Sequence, residues 1–109
     1  MYYNIHMDIN IDLSYIIGFE WDKGNQDRNK LKHNVAQNES EEVFFNKPIF
    51  LENIKHSTKD EVRYYVLGRT LENRYLMISF CKRQNKIRVI SARDQDKKEK
   101  ELYNKLLNI

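Results

Sequence analysis

The clearest pattern in the chain is a two-residue alternation of side chains over residues 61–70 (EVRYYVLGRT), which predicts a β-strand. Val62, Tyr64 and Val66 share one face of this strand. The opposite face carries Arg63, Tyr65, Leu67 and Arg69. The alternation therefore predicts one face without charge and one face with two arginines.

Four further runs of apolar or strand-forming residues predict the remaining strands, at residues 15–21, 49–51, 74–82 and 86–93. The loops between the last three strands are only about three residues long, as in a β-meander. Loops this short force consecutive strands to pair antiparallel. In the last loop, Asn85 is suited to a positive φ.

Capping signals predict two helices in the first half of the chain. Asp22 is a good N-cap for a helix over residues 23–33, and Asn34 is suited to the left-handed conformation that ends it. This helix is so polar that it must lie on the surface. Asn38 and Glu41 then have the spacing of a capping box, which opens a short second helix that Pro48 stops.

A C-terminal helix is predicted after another capping box, formed by Asp96 and Glu99. Its apolar stripe must pack on the sheet or on a partner, and it consists of Leu102, Tyr103, Leu106 and Leu107. The order of elements is strand, two helices, four strands, helix, which predicts an α+β domain with an antiparallel sheet of about five strands. We assign residues 18–109 to one domain and residues 1–17 to an N-terminal extension or an extra edge strand.

The composition excludes several classes of protein. The 109 residues suffice for one domain, and no run approaches the roughly 18 apolar residues of a membrane span. The N-terminus lacks the basic region of a secretory signal. The lone cysteine, Cys81, fits a reducing compartment, so a cytoplasmic location is expected. Its place among apolar residues of a predicted strand argues against a nucleophilic thiol.

Metal and cofactor sites are not expected. The three histidines, His6, His33 and His56, are far apart, and none has a second His or Cys at the spacing of metal ligands. The sequence also contains no phosphate-binding loop and no dinucleotide fingerprint.

Charge is divided unequally between the two halves of the chain. Residues 1–60 carry seven Lys or Arg and ten Asp or Glu, a net charge of −3. Residues 61–109 carry twelve and six, a net charge of +6. The basic half is either the binding surface for an anion, with nucleic acid as the first candidate, or a basic surface that is merely solvated.

Arginines in the predicted sheet are the strongest candidates for chemistry. Arg63 and Arg69 share a strand face, Arg88 lies in the last strand and Arg93 lies at its end. Because guanidinium groups bind phosphate oxygens in pairs, such a set suits phosphate recognition. The alternative is that each arginine pairs with a neighbouring acid, such as Glu61.

Two residues are candidates for proton transfer, and the residue pattern leaves both roles open. Glu61 is either a general base or a counter-ion for the cations around it. His33, at the end of the first helix, is either a cation that interacts with the helix dipole or an acid–base residue.

Several patches together resemble the BrnT family of ribonuclease toxins, over about residues 18 to 104. They are Phe19-Glu20-Trp21-Asp22, Asn29-x-x-Lys32-His33-x-Val35, Glu41-Glu42-Val43-Phe44, Pro48, Glu61-x-Arg63, Leu67-Gly68-Arg69-Thr70, Ile87-Arg88-Val89-Ile90-Ser91-Ala92-Arg93 and Glu101-x-Tyr103. The chain departs from the family pattern at Asn34, where Gly is usual, and at Asn25, where Lys is common.

The resemblance implies a RelE-like fold and a metal-independent endoribonuclease that inhibits translation. It implies a cognate antitoxin with a ribbon-helix-helix DNA-binding domain, and contact with operator DNA only through that complex. In the implied reaction a 2′-hydroxyl attacks the adjacent phosphate. The catalytic candidates are His33, Glu61, Arg63, Arg88 and Arg93. The RNA-binding candidates are Lys32, Arg69, Arg74, Lys82 and Lys86.

Two other functions fit the same residues. The first is a domain that binds nucleic acid but leaves the RNA chain intact. The second is a binding module of the same fold that holds a partner protein and has lost its chemistry. RNA cleavage and toxicity on expression distinguish the enzyme from both.

Overall fold

The computed structural model describes residues 13–108. It contains five strands, which are β1 (Gly18–Glu20), β2 (Ile49–Glu52), β3 (Arg63–Arg69), β4 (Tyr75–Arg83) and β5 (Lys86–Asp94). The helices are α1 (Lys23–His33), α2 (Gln37–Val43) and α3 (Lys97–Leu107), with a short 3₁₀ helix at Ile54–His56. The predicted α+β class, the five strands and the order of elements are confirmed. Residues 1–12 of the predicted N-terminal extension lie outside the described residues.

The sheet has the strand order β1-β5-β4-β3-β2. Strands β3 to β5 form the predicted antiparallel meander, and β2 pairs antiparallel with β3 at its edge. The sheet is nevertheless mixed, because β1 pairs parallel with β5, with Gly18 opposite Lys86 and Glu20 opposite Arg88. No local pattern predicts this pair, since the whole of α1 to β4 lies between its two strands.

The turn between β4 and β5 differs from the prediction in one detail. The strands continue to Arg83 and Lys86, so the turn has only two central residues. Gln84 takes the positive φ of 56°, and Asn85 does not. A positive φ at the first central residue alone is the geometry of a type II′ turn, whose twist suits a hairpin.

Helix α1 is as polar as predicted, and the structure shows what its polar residues do. Asp22 caps it and Asn34 ends it with φ 54°, both as expected. The helix lies against β5, where Asn25 and Asn29 are buried. Asn25 Nδ2 donates to the Val89 carbonyl at 3.0 Å. The helix therefore docks through amide side chains that satisfy the backbone of β5.

The edge of β5 offers a test of this docking. Asn29 Oδ1 accepts a hydrogen bond from the Ala92 amide at 3.0 Å in a buried position. We expect Asn29→Ala to lower the free energy of unfolding by about 1–3 kcal/mol, because the Ala92 amide is left buried without a partner. Urea unfolding measures the change, with Gln26→Ala on the exposed side of α1 as the control. Equal midpoints for the two variants would contradict this account.

Helix α2 begins and ends earlier than predicted. Its N-cap is Ala36, whose amide donates to Glu39 Oε1 at 3.0 Å, so the predicted capping box at Asn38 and Glu41 is wrong. Glu41 instead accepts from Trp21 Nε1 at 2.7 Å. Ala36 has no side chain that can cap the helix, so the usual capping signal is absent at this N-cap, and the glutamate of the predicted box contacts Trp21 instead.

The two faces of the sheet bury separate cores. On one face, α1 and α2 cover a cluster that includes Phe44, Val66 and Phe80. On the other face, α3 packs over β2 and β3 through the predicted stripe, with Leu102, Tyr103 and Leu106 against Leu67 and Met77. A single helix of this length covers only one end of the sheet. The remainder of the α3 face, which we call the open face, is the part of the sheet that carries the polar side chains discussed next.

Within residues 13–108 no helix is long and apolar enough to cross a membrane.

Candidate functional site

The open face holds a groove of about 250 Å³ beside α3. Its floor comes from β3, β4 and β5, and its rim from the segment that follows β2. The lining residues are Asn53, His56, Arg63, Tyr65, Met77, Ser79, Ile90 and Ser91. A bulge in β5 opposite Ser79 and Phe80 puts the neighbouring residues Ile90 and Ser91 on this groove together. Bulges commonly re-aim side chains next to active sites.

A second pocket of about 170 Å³ adjoins the groove. We call it the arginine pocket, because four of its lining side chains are guanidinium groups: Arg28, Arg63, Arg83 and Arg88. Arg63 and Ile90 line both cavities. Arg63 therefore stands at the junction between a polar groove and a cationic pocket.

Glu61 holds two of these arginines in place. Its carboxylate lies 3.0 Å from Arg63 Nε and 3.4 Å from Arg83. The hydrogen bond from Arg63 lowers the pKa of Glu61, although partial burial opposes the shift. A carboxylate of lowered pKa stays ionised and is a weak base, so this geometry favours the counter-ion role of Glu61.

Arg88 is fixed by the segment that joins β1 to α1. Its guanidinium donates to Glu20 at 3.0 Å and to Asp22 at 2.8 Å, and its side chain is only 18% exposed. The bond from Arg88 is the main reason that the pKa of Asp22 is lowered. The parallel pairing of β1 with β5 thus places two carboxylates beside an arginine from a distant part of the sequence.

The segment between β2 and β3 is tied to the backbone of β3. Ser57 Oγ accepts from the Arg63 amide at 2.9 Å and donates to the Asn53 carbonyl at 2.8 Å. The buried Asn53 accepts from the amide of His56 through Oδ1 at 3.3 Å, and its own amide donates to the Arg63 carbonyl at 3.0 Å. This network fixes His56 at the rim of the groove.

Arg93 lies on the same face, farther along β5 toward α3. It pairs opposite Met77, and its two terminal nitrogens each lie 2.8 Å from an oxygen of Glu99. The Glu99 side chain is completely buried, and it also accepts from the Asp96 amide in the predicted capping box.

Tyr65 lines the groove on β3. Burial is the main cause that raises the pKa of Tyr65, while Arg93 opposes it. Tyr65 therefore keeps its hydroxyl proton at neutral pH.

Three of the residues selected from the sequence come together on the open face: Glu61, Arg63 and Arg88. Lys86, which is exposed at the start of β5, projects from the same side as Arg88 by strand alternation.

Three other selected residues, Arg74, His33 and Lys32, lie at the far end of the sheet. Arg74 pairs with Glu39 and Asp94 and donates to the carbonyls of His33 and Asn34, so it joins the end of α1 to the far end of the sheet. His33 and the exposed Lys32 belong to that helix end. The structure does not bring His33 to the Glu61 end of β3, because Arg74 and Glu61 lie beyond opposite ends of β3 and β4.

Two further cations contact aromatic rings. The Arg69 guanidinium lies 5.6 Å from the centre of the Tyr75 ring, and a hydrogen bond with Tyr103 raises its pKa, which places it under α3. Lys82 Nζ lies 2.8 Å from the hydroxyl of Tyr15 on the opposite face of the sheet. The open face does not bring together four of the predicted RNA-binding residues, Lys32, Arg69, Arg74 and Lys82. Their role in RNA binding remains a prediction.

Sequence reasoning missed the groove residues His56, Tyr65, Ser79 and Ser91. His56 lies in a run (ENIKHSTKD) whose pattern indicates a polar turn, and the only role that the sequence suggests for it is that of a metal ligand. The signal that could have indicated its place in the site is that a single loop separates it from Arg63. Cys81 is buried, and burial raises the pKa of its thiol, in agreement with an inert side chain. Residues 13–108 contain no cluster of side chains suited to bind a metal ion.

Comparison with known families matches residues 21–99 to a family model described as the ribonuclease toxin BrnT of a type II toxin–antitoxin system. The match covers both walls of the arginine pocket, from Gly24 in α1 to Ile90 in β5. No curated protein matches the sequence.

Proposed function

The chain belongs to the BrnT family of ribonuclease toxins of type II toxin–antitoxin systems, and on this premise we propose that it is a metal-independent endoribonuclease that binds and cleaves RNA on the open face. The observation that supports the location most directly is the position of Arg63, which lines both the groove and the arginine pocket. A phosphate at this junction would meet guanidinium groups from β3, β4 and β5.

The arginines suit the charge that develops during phosphodiester cleavage. When a 2′-hydroxyl attacks the neighbouring phosphorus, negative charge accumulates on the phosphate oxygens. Guanidinium groups present paired donors to such oxygens, and they act best when their positions are fixed before the substrate arrives. Glu61 fixes Arg63 and Arg83, and Glu20 with Asp22 fixes Arg88.

These contacts support the following roles for the selected residues. Arg63 and Arg88 bind the reacting phosphate, with Arg83 beside them, and Glu61 orients Arg63 and Arg83. Arg93 and Lys86 lie at the two sides of this group along β5, where they meet neighbouring phosphates of an RNA strand. Association with RNA is then salt-dependent, because each phosphate contact releases counterions.

The biological setting follows from the family. We infer that a cognate antitoxin of the ribbon-helix-helix class neutralises the chain, and that operator DNA is contacted only through the complex. Cleavage of RNA in the cytoplasm then inhibits translation when the antitoxin is lost.

Incubation with RNA in EDTA and in magnesium tests the proposed chemistry. We expect the purified chain to cut single-stranded RNA in both, leaving 2′,3′-cyclic phosphate ends, and to spare an RNA whose 2′-hydroxyl is absent at the cut site. Arg88→Ala should cut at least about tenfold more slowly, since it removes one phosphate donor. Thermal unfolding checks that this variant remains folded, because Arg88 also contacts the cap residue Asp22.

The same assay separates the rivals. If the chain binds RNA but leaves it intact, both with purified RNA and in a translating extract, the chain is a nucleic-acid-binding domain and not an enzyme. Cleavage only in magnesium would overturn the metal-independent mechanism. Cleavage only in the extract would keep the endoribonuclease and make the ribosome part of its substrate.

A further inference from the structure

We propose that His56 is the catalytic base that takes the proton from the attacking 2′-hydroxyl. This inference rests on the proposed function and supplies the one role that the arginines of the open face cannot fill. A guanidinium remains protonated at all physiological pH values, so it donates hydrogen bonds but does not accept a proton. Cleavage by 2′-hydroxyl attack needs a proton acceptor beside the phosphate site.

The position of His56 meets this need. Within residues 13–108 there are two histidines, and of these His56 lines the groove while His33 lies at the end of α1. The groove shares Arg63 with the arginine pocket, so a phosphate bound by Arg63 would lie beside the cavity that His56 lines. Imidazole is the side chain best suited to exchange a proton near neutral pH.

The loop that carries His56 is built to hold a fixed position. Asn53 is only 3% exposed, and its side chain accepts from the His56 amide. The next residue, Ser57, accepts from the amide of Arg63 at 2.9 Å. The backbone of His56 is thereby anchored beside the residue that we assign to the phosphate, which keeps the two residues close before the substrate binds.

Glu61 is a poorer candidate for the same task. Its carboxylate is engaged by Arg63 and Arg83, and its pKa lies below the ordinary value. To accept a proton it would have to give up these contacts. The carboxylate serves better as a fixed counter-ion, which leaves His56 as the base.

The proposed step balances as follows. The neutral imidazole takes the proton of the 2′-hydroxyl while the 2′ oxygen forms a bond to phosphorus. The bond between phosphorus and the 5′ oxygen breaks, and that oxygen takes a proton from solvent. The products are a 2′,3′-cyclic phosphate and a free 5′-hydroxyl, and the imidazolium returns its proton to water. No metal, oxidant or cofactor takes part.

Charged or titratable groups from β3 and from its own short helix lie near His56. The charged or titratable groups that line the groove with it are Arg63 and Tyr65, both from β3, while β4 and β5 contribute uncharged residues. On its own short helix, Lys55 precedes it. A base must be neutral to act, so the cleavage rate should fall as the pH drops and the imidazole becomes protonated.

Single-turnover cleavage of a labelled RNA oligonucleotide, measured in EDTA across pH, tests the assignment. We expect His56→Gln to lower the rate about 10²- to 10⁴-fold and to remove the acid limb of the pH profile. His33→Gln replaces the other histidine in the same way and should keep the acid limb. His56 is exposed, so circular dichroism should show both variants folded.

Each result decides the proposal. A full rate for His56→Gln would overturn it, and so would a slow variant that keeps the acid limb, which would show a positioning role only. Loss of the acid limb in His33→Gln would transfer the role to that residue. A wild-type chain that cleaves neither the oligonucleotide nor RNA in a translating extract would instead overturn the proposed function itself, and a chain active only in the extract is assayed there with the same two variants, which separates the two failures.

Discussion

Replacement of Arg63 by alanine is expected to slow RNA cleavage about 10²- to 10³-fold, the usual cost of losing a fixed donor to a transition-state oxyanion. Arg63 is the charged residue that lines both the groove and the arginine pocket, and it is oriented by Glu61 at 3.0 Å. Its loss removes charge at the reacting phosphate and also releases Glu61 to repel the RNA. The readout is the single-turnover rate at saturating enzyme.

The matched variants separate charge from geometry. Arg63→Lys keeps the charge but loses the paired donors, so it should recover only part of the rate. Lys105→Ala removes one exposed cation from α3, away from the groove, and should leave the rate unchanged. Because the Arg63–Glu61 pair is partly exposed, the stability change should stay within about 1 kcal/mol. An Arg63→Ala protein that is folded and fully active would remove the open face from the mechanism.

Local patterns predicted what local contacts determine. The alternation in β3 set the facing of its side chains correctly, because strand geometry fixes that alternation. The caps at Asp22 and Asp96 were confirmed, because each cap joins residues three apart. At α2 the local signal was misleading, because the N-cap is Ala36, which has no capping side chain, while Glu41 of the predicted box accepts from Trp21.

The candidate site depended on contacts that no local pattern records. Arg88 pairs with Glu20 and Asp22, which precede it by 68 and 66 residues, only because β1 lies parallel to β5. His56 reaches the groove because Ser57 binds the backbone of Arg63. Sequence reasoning therefore found the arginines, which stand out by type, and missed a histidine that stands out only by position.

The departure at Asn25 illustrates the same limit. In the sequence, Asn25 stands where the resembled family commonly has a lysine, so this position appears only as a lost cation. In the structure Asn25 is buried, donates to the carbonyls of Glu20 and Val89, and accepts from the Asp22 amide. The asparagine thus stabilises the junction that positions Arg88, and the arginine pocket retains four cations without a lysine at this position.

Arg93→Ala is expected to be the most destabilising of the arginine substitutions, by about 3 kcal/mol, because breaking a buried pair leaves a charge uncompensated. The carboxylate of Glu99 has no exposed surface and contacts both terminal nitrogens of Arg93 at 2.8 Å. Urea unfolding measures the effect. Glu99→Gln should cost less, because the amide oxygen still accepts from Asp96 and Arg93 is about 35% exposed to water.

A double replacement then separates the two roles of Arg93. Arg93→Met with Glu99→Met removes both charges and fills the space, so it should recover much of the lost stability. If the double variant also recovers RNA cleavage, Arg93 serves only to anchor α3 beside the groove. If it folds and still cleaves slowly, Arg93 contacts RNA as well, and the phosphate-binding surface extends along β5 from Arg88 toward α3. An Arg93→Ala protein as stable as the wild type would contradict the anchoring role.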